Sequence, residues 1–203
     1  MEGTFAVSAI TTLFFLIQLL CFTSGFPAYD DQDTEYIKTS CTNTTYPRLC
    51  YRSLAIYASK IKSDPKLLAK TALNVTFVST RSTARLMKRI SRIHNLRPRV
   101  AGAVADCVEL VGDSVDELQG SIGEMDHARG GPNFGLVMND IQTWVSAALT
   151  DDDTCMDGFD GKAMNGRVKI LVRKHILRVC RLTSNALALV NNYASSQTGA
   201  PLP

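Results

Sequence analysis

The sequence predicts an all-α fold: an up-down-up-down four-helix bundle with a helical appendage at its N-terminal side. Three observations carry this. Apolar residues recur at alternating strides of four and three over four long segments. Long alternating runs are absent, as is any Asn-Gly or Asp-Gly turn between β-branched segments, so strand signals are weak. The breaks between the periodic segments fall at His94–Arg97, His127–Pro132 and Asp151–Gly166, all rich in Gly, Asn, Asp or Pro.

Taken in order, the chain starts with an uncharged, apolar or hydroxylic run from Phe5 to Phe22, followed by the small residues Thr23, Ser24 and Gly25. This is the pattern of a signal peptide over residues 1–25, cleaved near Gly25–Phe26. One domain, residues 26–203, is expected to remain. No later apolar run approaches the roughly 20 residues needed to span a bilayer, so no membrane partner is expected after cleavage. Residues 34–62 read as the appendage and residues 64–193 as the bundle. Asp64-Pro65 starts the first bundle helix as N-cap and first helical residue. Its expected core stripe runs Leu68, Ala72, Val75, Ser79, Ser82, Leu86, Ile90, Ile93. After Arg97-Pro98 the second stripe is Val100, Val104, Cys107, Val111, Ser114, Leu118, Ile122, Met125. The third helix is expected over roughly Phe134 to Thr150, with Trp144 assigned to its core side beside Ile141 and Val145. The fourth shows strict strides at Val172, Ile176, Val179, Thr183, Ala186, Val190 and Tyr193.

Outside the leader there are five cysteines: Cys41, Cys50, Cys107, Cys155 and Cys180. In a secreted chain thiols in this number pair, with one left over. Cys41 and Cys50 enclose a short polar loop and form the obvious local bridge; spacing alone does not choose partners among the other three. Asn43 (Asn-Thr-Thr) and Asn74 (Asn-Val-Thr) are N-glycosylation sequons open to a secretory route.

Composition narrows the function. Aromatics are 7% of residues with Trp144 the sole tryptophan, which leaves no stacking platform for single-stranded nucleic acid. The formal net charge of +3 is mild and no Lys/Arg cluster of the nucleic-acid type occurs, so no nucleic-acid partner is expected. Histidines are three and far apart, and no GxSxG elbow or Cys/His signature is present, so no catalytic residues are assigned. His175, among Ile170–Val172 and Ile176, reads as a packing or capping residue. The Asp151–Gly158 string superficially resembles a calcium loop, but Cys155 falls on a ligand position and Met164 on the closing glutamate, so neither metal nor cofactor is expected.

The charges that do stand out are segregated. Between Lys60 and Arg99 lie eleven basic residues and one acid, Asp64; from Ala101 to Asp126 lie seven acids and no base. Asp106, Glu109, Asp113 and Asp116 repeat at strides of 3, 4 and 3 and so line one helix face. Such a stripe is either a solvated face paired with the neighbouring basic helix or a docking surface for a basic partner.

Three strings decide between these readings: TSCTNTTYPRLCYRSL (Thr39–Leu54), ADCVELVGDSVDEL (Ala105–Leu118) and QTWVSAALTDDDTCMDGF (Gln142–Phe159). Together and in order, they resemble the plant invertase and pectin methylesterase inhibitor family. The resemblance implies a four-helix bundle preceded by a helical hairpin, bridges Cys41–Cys50 and Cys107–Cys155, and Cys180 as the odd thiol. Two functional branches share that fold, so function must be argued from the surface. The invertase branch inserts a Pro-Lys-Phe loop into its target; here the nearest string, Pro132-Asn133-Phe134, lacks the lysine. The strings around Trp144 and Cys155 are similar to the pectin methylesterase branch and to the pro-region fused to many such esterases. The chain ends at Pro203 without a catalytic domain, so a free inhibitor is expected.

Carried over position by position, the resemblance implies enzyme contacts at Glu109, Asp113, Asp116, Gln142, Thr154 and Asp157. It implies a 1:1 complex with pectin methylesterase in the apoplast or cell wall, by occlusion of the substrate cleft without covalent chemistry, tighter in mildly acidic buffer. Inhibition of acid invertase is the second reading. A third is a non-inhibitory wall protein whose basic helix, Arg81 to Arg99, holds de-esterified pectin. A redox or hydrolase role for Cys180 is the least favoured.

Overall fold

The computed structural model describes residues 31–198, and the signal peptide expected over residues 1–25 lies outside the described residues. Three short helices come first: α1 (Asp31–Thr42), α2 (Pro47–Leu54) and, after a 3-10 turn at Ala55–Tyr57, α3 (Ala58–Ile61). Four long helices follow: α4 (Pro65–Ile90), α5 (Pro98–His127), α6 (Phe134–Asp157) and α7 (Arg167–Thr198). No strand occurs among the described residues.

Local chemistry sets the helix starts. The Asp64 side chain accepts from the Leu67 amide at 2.9 Å, and Pro65 fills the first turn, where an amide hydrogen would have no partner. Lys62 and Ser63, at φ of 49° and 55°, turn the chain sharply before that cap. Pro47 and Pro98 likewise stand in the first turns of α2 and α5, whose N-cap residues Tyr46 and Arg97 make no side-chain cap. The α1–α2 hairpin is closed by the Cys41–Cys50 disulfide. It is fastened to the bundle by Asn185 of α7, whose Oδ1 accepts from the Tyr46 amide at 2.9 Å and whose Nδ2 donates to the Tyr46 carbonyl at 3.1 Å.

The four long helices pack around the ring α4–α5–α6–α7, with α7 returning to α4. Their buried residues form two apolar clusters. One joins the hairpin to Leu68–Leu73, Leu118, Ile141, Val145 and Leu189. The other gathers Met87, Val104, Val111, Phe159, Val172 and Ile176. Between them lies a polar layer of buried Thr76, Thr80, Thr83, Ser114, Asp152 and Thr183. The threonines are accommodated because their hydroxyls donate back to carbonyls four residues earlier, as Thr76 does to Ala72 at 2.8 Å and Thr80 to Thr76 at 3.0 Å.

The second and fourth stripes lie inside, apart from Ile122, which is half-buried. Three other expectations are corrected. The α4 stripe holds at Leu68, Ala72 and Ile90, which are buried, but is rotated between them: Leu73, Thr76, Thr80, Thr83 and Met87 face the core, Val75, Ser79 and Leu86 are half-buried, Ser82 is exposed, and Ile93, beyond the helix, is 50% exposed. The physical reason is that threonine brings a methyl group to the core as well as a backbonded hydroxyl, whereas serine brings no apolar group. The third helix does not stop at Thr150 but runs to Asp157, because Ala148, Asp152 and Cys155 continue its buried stripe. Trp144 is half-buried rather than core, its ring lying over Gly120, where a β-carbon would sit 3.3 Å from Cε3 and Cζ3.

Candidate functional site

The second disulfide, Cys107–Cys155, ties α5 to the last turns of α6 across 48 residues of sequence. Beside it the two helices part to leave a cleft of about 580 Å³. Asp106, Glu109 and Asp113 project from α5, and Thr154 and Asp157 from α6, around a floor that includes Leu110 and Cys155. All five of those polar residues are exposed. The helical extension of α6 is what aims Thr154 and Asp157: the Thr154 hydroxyl donates to the Thr150 carbonyl at 2.7 Å.

Of the six expected contact residues, Glu109, Asp113, Thr154 and Asp157 therefore meet in one cleft. Asp116 is exposed one turn further along the same α5 face. Gln142 lies elsewhere, its Nε2 donating to Asn191 Oδ1 of α7 at 2.9 Å. Asp106 belongs to the cleft although only its stripe position had signalled it. Asn43 and Asn74 are both exposed, and the Asn74 amide donates to the Lys70 carbonyl at 2.8 Å.

Sequence reading passed over three further carboxyls. Glu117 is half-buried, and its Oε2 has no hydrogen-bond partner; burial, then Asp151 and Asp113, push its pKa up to about 7. Asp151 is raised by burial and then by Asp113. Asp152 is fully buried in the polar layer, Oδ1 lying 3.2 Å from Ser114 Oγ and Oδ2 3.4 Å from Thr183 Oγ1, and burial raises it to about 8. The signal for Asp152 was present, since Ile141, Val145, Ala148 and Asp152 keep strides of 4, 3 and 4. The two aspartates that flank it, Asp151 and Asp153, mask that periodicity, because charged residues ordinarily belong in water.

Cys180 is a buried free thiol whose pKa is raised by burial, then by Asp152 and Asp153, which is the setting of an unreactive sulfur. Among the described residues no three His, Cys, Asp or Glu side chains are grouped to hold a metal ion, and no helix is long and apolar enough to cross a membrane. What the α5–α6 cleft can do is accept hydrogen bonds and ion pairs from a basic, convex surface.

A disulfide-bridged helical bundle that presents an acidic cleft between two of its helices has the architecture of a protein-binding module. The plant invertase/pectin methylesterase inhibitor family matches residues 35–189, and the chain belongs to it. It is 52% identical over 172 residues to pectinesterase inhibitor 10 of Arabidopsis thaliana, covering 83% of this chain and 54% of that protein. The chain thus spans about half the length of that relative. It is 46% identical over 183 residues to the 21 kDa protein of Daucus carota, covering 89% of this chain and 92% of that one. A crystal structure of a mutant pectin methylesterase inhibitor from Arabidopsis superposes with a TM-score of 0.61 at 22% identity, over 76% of this chain and 95% of that one, which is a likeness of fold.

Proposed function

We propose that this protein is a secreted inhibitor of pectin methylesterase that seats its α5–α6 cleft over the enzyme's substrate groove in a 1:1 complex in the cell wall. The observation that carries the reading is the cleft itself. Four of the expected contacts, Glu109, Asp113, Thr154 and Asp157, are brought from two helices to one place and held there by a disulfide. Asp106 and Asp116 extend the surface along α5. Gln142, engaged with Asn191, is left out of the contact set. Occlusion needs a rigid, complementary surface and no bond making, so pre-organisation by Cys107–Cys155 is its main structural requirement. Named pectinesterase inhibitors among the relatives support the choice of target.

The competing target, acid invertase, is disfavoured by Phe134. In Pro132-Asn133-Phe134 the phenylalanine is buried and packs edge-on against Tyr193 with ring centroids 5.7 Å apart, so it is not presented for insertion into an enzyme.

The test mixes the purified mature protein with a pectin methylesterase and, separately, an acid invertase at mildly acidic pH. Loss of esterase activity alone is expected, and Asp113→Lys and Asp157→Lys should each weaken it by about tenfold or more. Loss of invertase activity alone, or of neither, overturns the proposal.

A further inference from the structure

Away from the acidic cleft, on the α4–α7 side of the bundle, lies a second surface of opposite sign. The α7 segment Arg167–Thr198 carries six Lys or Arg residues and no acid. With α4 it frames a cleft of about 620 Å³, in which Val75, Val78 and Ser82 of α4 face His175, Arg178 and Leu182 of α7, with Lys60 and Tyr57 at one end. Helical periodicity continues the cleft beyond Ser82 and His175. Arg85 and Arg89 lie three and seven residues after Ser82, and Lys174 and Leu171 lie four and seven residues before Arg178, so all four fall on the cleft side of their helices.

These cations are not the internal partners of the acidic stripe. Among the described residues the ion pairs are Lys38–Glu35 and Lys70–Asp126, and neither joins the two faces. Lys60, Arg85, Arg89, Lys174 and Arg178 are all exposed. Two neighbouring guanidiniums are engaged with rings, Arg81 over Phe77 and Arg181 over Tyr46, and stand outside the cluster. A row of like charges repels itself, which disfavours the folded state unless a polyanion neutralises it.

We propose that the α4–α7 cleft binds a linear polyuronate, the carboxylated polysaccharide left when a methylesterified uronan loses its methyl groups. Guanidinium and ammonium groups pair with carboxylates at intervals along such a chain. Val75, Val78, which is 66% exposed, and Tyr57 offer an apolar floor for the ring C–H faces. Ser79 and Ser82 line the same cleft and offer hydroxyls to the sugar hydroxyls, and Asn74 offers its side-chain amide, which requires that this sequon carry no glycan. One tyrosine is no base-stacking platform, which sets a nucleic acid aside. The choice of uronan rests on the esterase-inhibitor reading, because de-esterification creates that polyanion where the inhibitor works. Since the two clefts lie between different helix pairs, the protein can hold the product polymer and the enzyme together, which concentrates inhibition where de-esterification has already occurred.

The experiment is affinity electrophoresis of the mature protein through gels containing polygalacturonate, fully methylesterified pectin or dextran sulfate, with esterase inhibition measured separately on the same samples in free solution. Polygalacturonate should retard the wild type, more weakly as salt rises, and methylesterified pectin should not. Arg85→Gln/Arg89→Gln/Lys174→Gln/Arg178→Gln should lower the apparent affinity roughly tenfold or more while leaving esterase inhibition and helical circular dichroism unchanged, since four exposed contacts are each weak and act together. Equal retardation by methylesterified pectin, equal retardation by dextran sulfate at matched charge, no retardation, or an unaffected quadruple variant each overturns the proposal. Retention without inhibition of any esterase refutes the inhibitor reading instead, so the two failures are distinct.

Discussion

Asp152→Asn should stabilise the protein, and only above mildly acidic pH. The proton count around Asp152 explains why. Ser114 Oγ lies 3.0 Å from the Ala148 carbonyl, and Thr183 Oγ1 lies 3.0 Å from the Val179 carbonyl. If both hydroxyl hydrogens go to those carbonyls, the Asp152 carboxyl must itself donate to a hydroxyl oxygen, and it can do so only when protonated. Ionisation removes that hydrogen and leaves a charge in the core. A pKa held at about 8 against an ordinary 3.8 means that the folded state binds more protons than the unfolded one between those values. The stability this neutral carboxyl allows is fully present below pH 3.8 and is lost progressively as pH rises towards 8. At pH 7 the loss is about 4 kcal/mol at 1.36 kcal/mol per pH unit. Relaxation and water entry reduce it, so Asp152→Asn, neutral at every pH, should gain roughly 2–4 kcal/mol at pH 7 and almost nothing at pH 4. In a chain of this size that is a Tm rise of roughly 5–15 °C at the higher pH. Thermal and urea unfolding of both proteins from pH 4 to pH 8 checks it. Parallel stability–pH curves for wild type and variant would refute the reasoning.

Glu117, raised to about 7 beside the acidic cleft, should take up a proton as pH falls through that value, relieving repulsion from Asp113 and Asp151. Because the cleft is read as meeting a basic surface, losing this charge should weaken the electrostatic part of esterase inhibition as pH falls through that value, and Glu117→Gln should flatten that part of the profile; an unaltered profile counts against the assignment. Cys107→Ser/Cys155→Ser removes a bridge across 48 residues and should cost about 4 kcal/mol on the chain-entropy estimate, against about 2.5 kcal/mol for Cys41→Ser/Cys50→Ser, whose separation is 9. Urea midpoints measure both, and the reverse ranking would show that local packing outweighs loop closure. Gly120→Leu should push Trp144 off α5, costing roughly 1–3 kcal/mol and red-shifting the fluorescence of the sole tryptophan. An unshifted spectrum would mean that the ring does not rest there.

The bundle was legible because its burial follows simple periodicity. Val172 through Tyr193 and Val100 through Met125 alternate strides closely enough that the core side needs no structural knowledge. The acidic stripe was equally legible, and half of the cleft follows from it. The other half required knowing that α6 continues past Thr150. Three successive aspartates look like a loop because charged residues belong in water. They stay helical because only Asp152 is buried while Asp151 is half-buried and Asp153 exposed, and because Cys155 is covalently held on α5. The rotation of the α4 stripe had a related cause: a threonine hydroxyl that bonds its own helix is nearly apolar to its neighbours, which hydrophobicity alone does not register. The basic character of α7 was in plain view in the sequence. What was missing was the ring order that sets α7 against α4 and so joins two basic helices along one cleft.

The polar layer gives these pieces a common logic. Thr76, Thr80 and Thr83 return their hydroxyls to α4's own carbonyls and so place no demand on other helices. Asp152 is different, because both its oxygens find their partners across helix boundaries, Ser114 on α5 and Thr183 on α7. A slide of α6 by one turn would move the carboxyl into one of the two flanking apolar clusters, where no hydroxyl could meet it, at a cost of several kcal/mol. The same slide is opposed covalently by Cys107–Cys155, one helical turn further along α6. Both devices act on the one register that brings Thr154 and Asp157 opposite Glu109 and Asp113. A buried acid thus holds the binding face in place while it is protonated, and the stability it withdraws as pH rises from 3.8 towards 8 is withdrawn from the site as well as from the fold.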